Sequence, residues 1–397
     1  MTSATTPLLD DSSQLPRTGP VDDDDHNSDA PQTSLLSFRD ALSLTLSIQI
    51  GSGIFLSPSL VARNIPYPPT LAIPPPILAL LVWATSGLLA WTCAACYAEM
   101  GSRIPVNGGP QEYLAFCFGD LVGFLTGWVC IWGVKPCSSA VLALFVGGYV
   151  GDAVGLEKGW EGVIALGVVA VVTVVNCVGN GVSKGVSMGL LGCKIIGVGF
   201  VIFMGIWTVL TGMGMEGRGV KAMHAEGDRG SYVDALVAAM WAYSGWEVLG
   251  LVGGNIRNPG KNFPRVMNSS MSIVLALTLF ANVSYFSVLG FDEVARSTTL
   301  GLIFSQHFLG RAGSVLYAVA ICLSTLGTLN VKMFTAGRLT QAAAERGYLP
   351  LMMKTVARRG SSKDDDEDHS ILETRHLPPI IESPNSPVRL GDGSIPM

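Results

Sequence analysis

Eight long apolar runs with few charges constrain this chain more than any other feature. A membrane-spanning helix needs about 20 mostly apolar residues. The composition agrees, because 14% of the 397 residues are charged, whereas soluble domains carry about 25%. The chain is therefore predicted to be an all-α integral membrane protein. The predicted spans are roughly 41–62, 76–98, 120–148, 161–179, 186–212, 232–253, 267–290 and 313–336.

Polar segments flank these runs and set the domain organisation. Residues 1–37 and 351–397 are rich in proline, serine and acidic residues, which is typical of disordered tails. Residues 38–350 form the predicted transmembrane domain. Lysine and arginine are somewhat more frequent in the connections on the same side as the N-terminus, so the positive-inside rule predicts that both termini are cytoplasmic. The net charge of −5 does not favour nucleic-acid binding, which requires an excess of positive charge.

The first apolar run is interrupted by Gly51-Ser52-Gly53. Backbone polar groups need partners inside a membrane, so a helix is rarely broken there without cause. Glycine tolerates the non-helical backbone. The exposed N–H groups near Ser52 to Ile54 would then form a carboxylate site at the start of the second half-helix. The same glycines are also compatible with a close helix–helix contact between small residues.

A second break is predicted at Ser244-Gly245-Trp246. Unwinding there frees carbonyl groups at the negative end of the preceding half-helix, and such carbonyls suit an ammonium group. Two interrupted apolar segments in the two halves of a chain indicate a transporter binding site. The two breaks together therefore predict a site for a zwitterionic amino acid. The alternative is that Trp241, Tyr243 and Trp246 belong to an interfacial aromatic belt.

Lysines also lie inside the apolar runs. Lys194 is deep in GLLGCKIIGVGF, and Lys135 lies in IWGVKPCSS. An ionisable residue within a membrane is a functional candidate, so Lys194 could act as a proton-linked switch or as a fixed cation in place of a metal ion. The alternative for both lysines is snorkelling or a local pair. Lys332 lies nearer the end of its run, which favours snorkelling, and Glu247 could pair with one of the lysines.

Four stretches of the chain carry a resemblance to a known family. They are IGSGIFLSP at 50–58, AEMGSRIPVNGGPQEYL at 98–114, WAYSGWEVL…NIRNPGKNFPR at 241–265 and STLGTLNVKMFTAGR…AERGYLP at 324–350. Together they resemble the amino acid–polyamine–organocation superfamily, within it the L-type amino acid transporter group, in a fungal branch near methionine permeases. The resemblance implies an inverted-repeat helix bundle with helices 1 and 6 discontinuous. The first repeat would occupy about 38–212, and an incomplete second repeat about 232–341.

The resemblance also implies a substrate site at the two breaks. The substrate carboxylate would bind at 52–54, and the amine would bind near Ile50 and the carbonyls of 241–244. Trp241 takes the position of the family's aromatic gate. The predicted substrate-binding residues are Ile50, Gly51, Ser52, Gly53, Ile54, Trp241, Tyr243, Ser244 and Gly245.

A coupling site is implied beside the substrate site. Lys194 matches the fifth-helix lysine that, in relatives, stands where sodium-coupled members bind an ion. Ser324 and Thr328 of the eighth helix would face it. No cofactor and no metal are expected.

The chain departs from the family pattern in three places. Relatives have twelve helices, so a chain of eight is expected to be truncated inside the second repeat. The usual acidic pair after helix 6 is replaced by Gly253-Gly254-Asn255, which puts the family's cytoplasmic gate contacts in doubt. The predicted outside loop 149–160 contains no cysteine, so no disulfide to a heavy-chain partner is expected.

The predicted function is secondary active transport at the plasma membrane. The substrates would be L-amino acids that are neutral and either large or sulfur-containing, carried by proton symport or exchange through alternating access. The sequence shows no catalytic triad, no zinc-ligand spacing and no P-loop, so it does not favour an enzyme. Two alternatives remain: an amino acid sensor that does not transport, and an inactive fragment of a permease. The partners are the substrate, protons and the lipid bilayer.

Overall fold

The protein is described by a computed structural model that covers residues 36–51, 53–66, 73–157, 159–178, 180–212 and 230–353. Within these ranges the chain is helical, and the only strand-like pairing is an isolated bridge between Leu36 and Ile256. The predicted all-α class is therefore confirmed. Ser52 and nearly all of the two predicted tails lie outside the described residues.

The described residues form α-helices joined by short turns, one π-helical turn at Cys130–Val134 and 3₁₀ turns at Gly253–Asn255 and Leu351–Met353. The α-helices are α1 Phe38–Gln49, α2 Gly53–Asn64, α3 Pro75–Arg103, α4 Pro110–Phe118, α5 Asp120–Val129, α6 Lys135–Val154, α7 Trp160–Val178, α8 Asn180–Thr211, α9 Tyr232–Ala242, α10 Val248–Leu251, α11 Pro259–Leu289, α12 Phe291–Arg296 and α13 Leu300–Glu345.

Six helices in the described part of the chain are long and apolar enough to cross a membrane, which makes this a multi-pass membrane protein. In this count α5, the π turn and α6 form a single span. A seventh span results if α1 and α2, bent by 41° against each other, are one broken helix. The predicted span 232–253 contains the 11 residues of α9 and the four of α10. The total of eight therefore stays a prediction.

The predicted span 313–336 is the one whose limits differ most from the structure. Helix α13 runs from Leu300 to Glu345, and Gly310 interrupts its helical geometry with φ 63° and ψ −169°. Hydropathy marks only the strongly apolar middle of this element. The flanking turns are more polar, but they still favour helix, and Gly310 permits the left-handed backbone between two helical pieces.

The outer surface of the bundle is apolar and its interior is built on small residues. Leu166, Ile196 and Leu316 are each more than 70% exposed, as expected of side chains that face lipid. Inside, a Cβ on Gly101 of α3 would lie 2.2 Å from the ring of Phe263 on α11. Close approach of this kind holds helices together in lipid, where the hydrophobic effect does not drive their association.

Segments that the charge pattern predicts to be cytoplasmic meet at one end of the bundle. The N–H of Leu36 donates to the carbonyl of Asn255 (2.7 Å), and the N–H of Arg257 donates back to Leu36 (3.0 Å). Gly254 N–H donates to the Asn107 side chain (3.1 Å). A Cβ at the neighbouring Gly253 would lie 2.8 Å from a backbone oxygen. Gly253 and Gly254 thus allow a close backbone contact at this end.

Candidate functional site

The first break lies between α1 and α2, where the sequence predicts it. The Ile50 N–H still donates to the Leu46 carbonyl (2.8 Å), whereas the Gly51 N–H turns to the Gln49 carbonyl (3.0 Å). Helix α2 then begins at Gly53. The helical hydrogen-bond ladder is therefore interrupted within three residues, and the first N–H groups of α2 have no partner within their own helix.

The glycines of this break are also packing residues. A Cβ on Gly51 would lie 2.9 Å from Thr328 Oγ1, and a Cβ on Gly53 would lie 2.6 Å from the Ala242 Cα. The small-residue contact and the backbone break, which the sequence leaves as alternatives, are therefore both present at Gly53. Ile50 and Ile54 are buried in the apolar core beside the break.

The second break separates α9 from α10 and crosses the first. Gly245 has φ +108°, a left-handed conformation that favours glycine, and a Cβ there would lie 2.6 Å from Ile48 Cγ2. The Gly245 N–H donates to Glu247 Oε2 (2.8 Å). The Ser244 hydroxyl donates to the Trp241 carbonyl (2.7 Å). Part of the carbonyl surface that the sequence assigns to a substrate amine is thus engaged by Ser244.

Tyr243 has a different position from its neighbours in the second break. Its ring is fully buried and lies edge-on to Trp83, with the ring centroids 5.8 Å apart. Its hydroxyl donates to the Trp83 carbonyl (3.1 Å). Tyr243 therefore joins α9 to α3 and does not line the cavity described next.

A cavity of about 20 Å³ lies where the two breaks meet. This is roughly the space of one water molecule, so an amino acid can enter only if side chains around the cavity move. Five of the twelve predicted site residues line it: Gly51, Gly53, Trp241, Ser244 and Thr328. The remaining lining residues are Ile48, Gln49, Leu142, Ala242 and Lys332.

Lys194 lies beside this cavity and connects three helices. Its side chain is 1% exposed. Its ammonium donates to the Ser47 carbonyl on α1 and to Thr328 Oγ1 on α13, the second at 2.6 Å. The Ser47 carbonyl is one turn before the first break. The Ser324 hydroxyl is buried nearby and has no hydrogen-bond partner among the described residues. The ammonium thus joins α8 to the broken helix and to α13.

Lys332 lines the cavity, although it is not among the site residues that the sequence predicts. Its ammonium lies 5.2 Å from the centroid of the Trp241 ring. The signal in the sequence is its spacing, because residues four apart on a helix share a face and Thr328 precedes Lys332 by one turn. Glu247 and Lys135 are both within electrostatic reach of Lys332.

Known proteins match most of the chain. A family model described as "Amino acid permease" matches residues 36–363. The mouse protein "Large neutral amino acids transporter small subunit 2" is 31% identical over 314 residues, which cover 77% of this chain and 57% of the relative. The chain therefore matches little more than half the length of that relative.

Two further relatives carry other names. The rabbit "b(0,+)-type amino acid transporter 1" is 29% identical over 356 residues, which cover 87% of this chain and 70% of the relative. The "Serine/threonine exchanger SteT" of Bacillus subtilis is 30% identical over 320 residues, which cover 79% of this chain and 69% of the relative. All three relatives are amino acid transporters by name.

Proposed function

Because the chain belongs to the amino acid permease family, we propose that it carries L-amino acids across a membrane by alternating access, as a secondary active transporter. The observation that supports this most is the meeting of two helix breaks at one cavity. One break presents the N-terminal end of α2, which attracts a carboxylate, and the other presents the C-terminal end of α9, which attracts an amine.

The small cavity fits a transporter that opens and closes around its substrate. Trp241 lies on the cavity wall as a bulky side chain. In the proposed cycle, an amino acid that enters between the breaks displaces this ring, and the ring then returns over the bound substrate. This is the role that the resemblance assigns to Trp241.

The proposed substrates are neutral L-amino acids with large or sulfur-containing side chains. Ile48, Leu142 and Trp241 give the cavity an apolar wall, and one relative is named for large neutral amino acids. The proposed coupling is proton symport or exchange, with Lys194 as the coupling residue. The proposed location is the plasma membrane, with both termini in the cytoplasm.

Uptake into a yeast strain without its own amino acid permeases tests the proposal. The full chain is expressed, and uptake of a radiolabelled panel of neutral amino acids is measured at an acid and at a neutral pH. We expect saturable uptake, which is faster at acid pH for symport and depends on internal amino acid for exchange. Absence of uptake of every amino acid, with the protein at the cell surface, would refute the transport function.

A pair of tryptophan variants ties uptake to the cavity. Trp241→Leu removes the ring from the cavity wall, so we expect a loss of uptake of at least about tenfold at low substrate concentration. Trp160→Leu is the matched control, because Trp160 is 54% exposed and does not line the cavity. Equal uptake by the two variants would show that the substrate binds elsewhere.

A further inference from the structure

Lys332 places a positive charge at the candidate substrate site without an obvious structural need for it. Its ammonium lies over the face of Trp241, at 5.2 Å from the ring centroid. Among the described residues, no carboxylate approaches this ammonium within 4.0 Å. A charged group inside a membrane is costly and is retained for a function. The role of this charge is therefore a question about the substrate.

We propose that Lys332 sets the charge selectivity of the site, so that amino acids with neutral side chains are accepted and those with basic side chains are rejected. This inference rests on the proposed function, because it concerns the substrates of the same cavity. It names a residue on α13, outside both breaks, as the selectivity determinant.

The first argument is that the best position for a foreign cation is already taken. The face of a tryptophan ring attracts cations, and Trp241 is the aromatic side chain that lines the cavity. A basic substrate side chain would gain most by lying on that face. Lys332 already occupies it, so a second cation would lose this attraction and meet a like charge.

The second argument is the balance of charge around the cavity. Lys332 is within electrostatic reach of Lys135 and Glu247, and Lys194 reaches Thr328 on the cavity wall. Three lysines thus stand against one glutamate in this region. The Glu247 carboxylate is in addition engaged by the Gly245 N–H, at 2.8 Å. The surroundings therefore favour an anion over a second cation in the space that a substrate side chain would fill.

A neutral side chain meets no such penalty. It can pack against Leu142 and Ile48 and along the aliphatic stem of Lys332, since lysine presents an apolar stem as well as a charged head. At an effective dielectric constant near 20, two like charges at 6 to 8 Å repel enough to lower affinity by at least about tenfold. The wild-type protein should therefore discriminate against arginine and lysine.

Competition measurements test the inference. Uptake of radiolabelled methionine by the full chain is measured in the permease-deficient yeast, with unlabelled glutamine, arginine or lysine as competitor. In the wild type, we expect arginine and lysine to need concentrations at least about tenfold higher than glutamine for half-inhibition. In Lys332→Met, this ratio should fall toward one while methionine uptake persists.

The control and the alternative variant keep the test decisive. Lys261→Met removes an exposed lysine in the first turn of α11 and should leave every ratio unchanged. If Lys332→Met does not reach the cell surface, Lys332→Gln is measured in its place. The ratio of half-inhibitory concentrations, arginine or lysine to glutamine, in the wild type is itself a test. Equal inhibition of the wild type by arginine and glutamine would overturn the inference.

Two other results would also overturn it, and both are distinct from failure of the proposed function. If Lys332→Met binds every amino acid equally less well, Lys332 contacts a part that all amino acids share. If the ratio of half-inhibitory concentrations is unchanged in Lys332→Met, Lys332 does not face the substrate side chain. In both cases the wild type still transports, so only the selectivity role fails. Absence of any wild-type uptake would instead refute the transport function together with this inference.

Discussion

Lys194 Nζ lies 2.6 Å from Thr328 Oγ1, although 134 residues separate the two in the chain. The same ammonium donates to the Ser47 carbonyl just before the first helix break. Hydrogen bonds that involve a charged donor contribute about 1.5–3 kcal/mol each. The Thr328 hydroxyl also donates to the Ser47 carbonyl, at 3.3 Å. The ammonium and this hydroxyl together therefore join the broken helix to α13.

Removal of the Lys194 ammonium is expected to impair transport. In Lys194→Ala, the Ser47 carbonyl and Thr328 lose their shared donor, so we expect uptake at saturating substrate to fall by about tenfold or more and to lose its dependence on pH. Uptake is measured at an acid and a neutral pH and corrected for surface expression. Lys261→Ala is the control. Wild-type kinetics at both pH values would exclude a coupling role for Lys194.

A second substitution tests the Thr328 hydroxyl and leaves the lysine in place. Thr328→Val has nearly the same shape as threonine but removes both the acceptor for Lys194 and the donor to the Ser47 carbonyl, whereas Thr328→Ser retains both. We therefore expect Thr328→Ser to transport at a rate much closer to wild type than Thr328→Val does. Equal rates in the two variants would mean that the 2.6 Å contact has no part in turnover.

Gly53 is expected to be essential for the packing of α2 against α9. In Gly53→Ala the new Cβ would lie 2.6 Å from the Ala242 Cα, and a backbone atom cannot yield as a flexible side chain can. Overpacking of this kind costs about 1–3 kcal/mol. We expect the midpoint of thermal unfolding in detergent to fall by several degrees, with uptake reduced in parallel.

Gly192→Ala is the matched control for that prediction. Gly192 lies within α8, and a Cβ there would meet no atom within 4 Å. Alanine favours helix over glycine by about 1 kcal/mol, so this variant should be as stable as the wild type or slightly more so. Equal unfolding midpoints for Gly53→Ala and Gly192→Ala would contradict the close contact between the two half-helices.

The sequence predicts the breaks well because their signals are local. Glycine and serine at 51–53 and 244–245 disfavour a continuous helix whatever surrounds them, and the structure interrupts both helices there. The partner of Lys194 was implied only by the family resemblance, since no local pattern links residues so far apart. The orientations of Tyr243 and Lys332 could not be predicted, because they depend on how each helix is rotated against its neighbours.

Tyr243 is expected to act in stability more than in substrate recognition. Tyr243→Phe removes the hydrogen bond to the Trp83 carbonyl, which should lower the free energy of unfolding by about 1 kcal/mol. The ratio of methionine to leucine uptake should stay at the wild-type value. Tyr232→Phe is the control, because the Tyr232 hydroxyl donates to a carbonyl at an exposed position. A changed substrate ratio in Tyr243→Phe would instead support the substrate contact that the sequence predicts.

Arg346 follows α13 and joins it to α4 and α5. Its guanidinium pairs with Glu112 and, at 2.8 Å, with Asp120. The two partners differ in their surroundings, because the Glu112 side chain is 12% exposed and the Asp120 side chain is 77% exposed. Exposed ion pairs contribute little, at about 0–1 kcal/mol, whereas a buried charge without its partner is strongly destabilising.

The ion pairs of Arg346 with Glu112 and with Asp120 should therefore respond differently to substitution. Asp120→Asn removes only an exposed pair, so we expect a decrease of less than about 1 kcal/mol in the free energy of unfolding. Arg346→Gln leaves the Glu112 carboxylate without its cation, so we expect a larger decrease of about 2–3 kcal/mol. Thermal unfolding in detergent measures both. If the double variant Arg346→Gln with Glu112→Gln is as stable as the wild type, the loss in Arg346→Gln comes from the uncompensated carboxylate. If the double variant stays as unstable as Arg346→Gln alone, the guanidinium stabilises the junction through its packing.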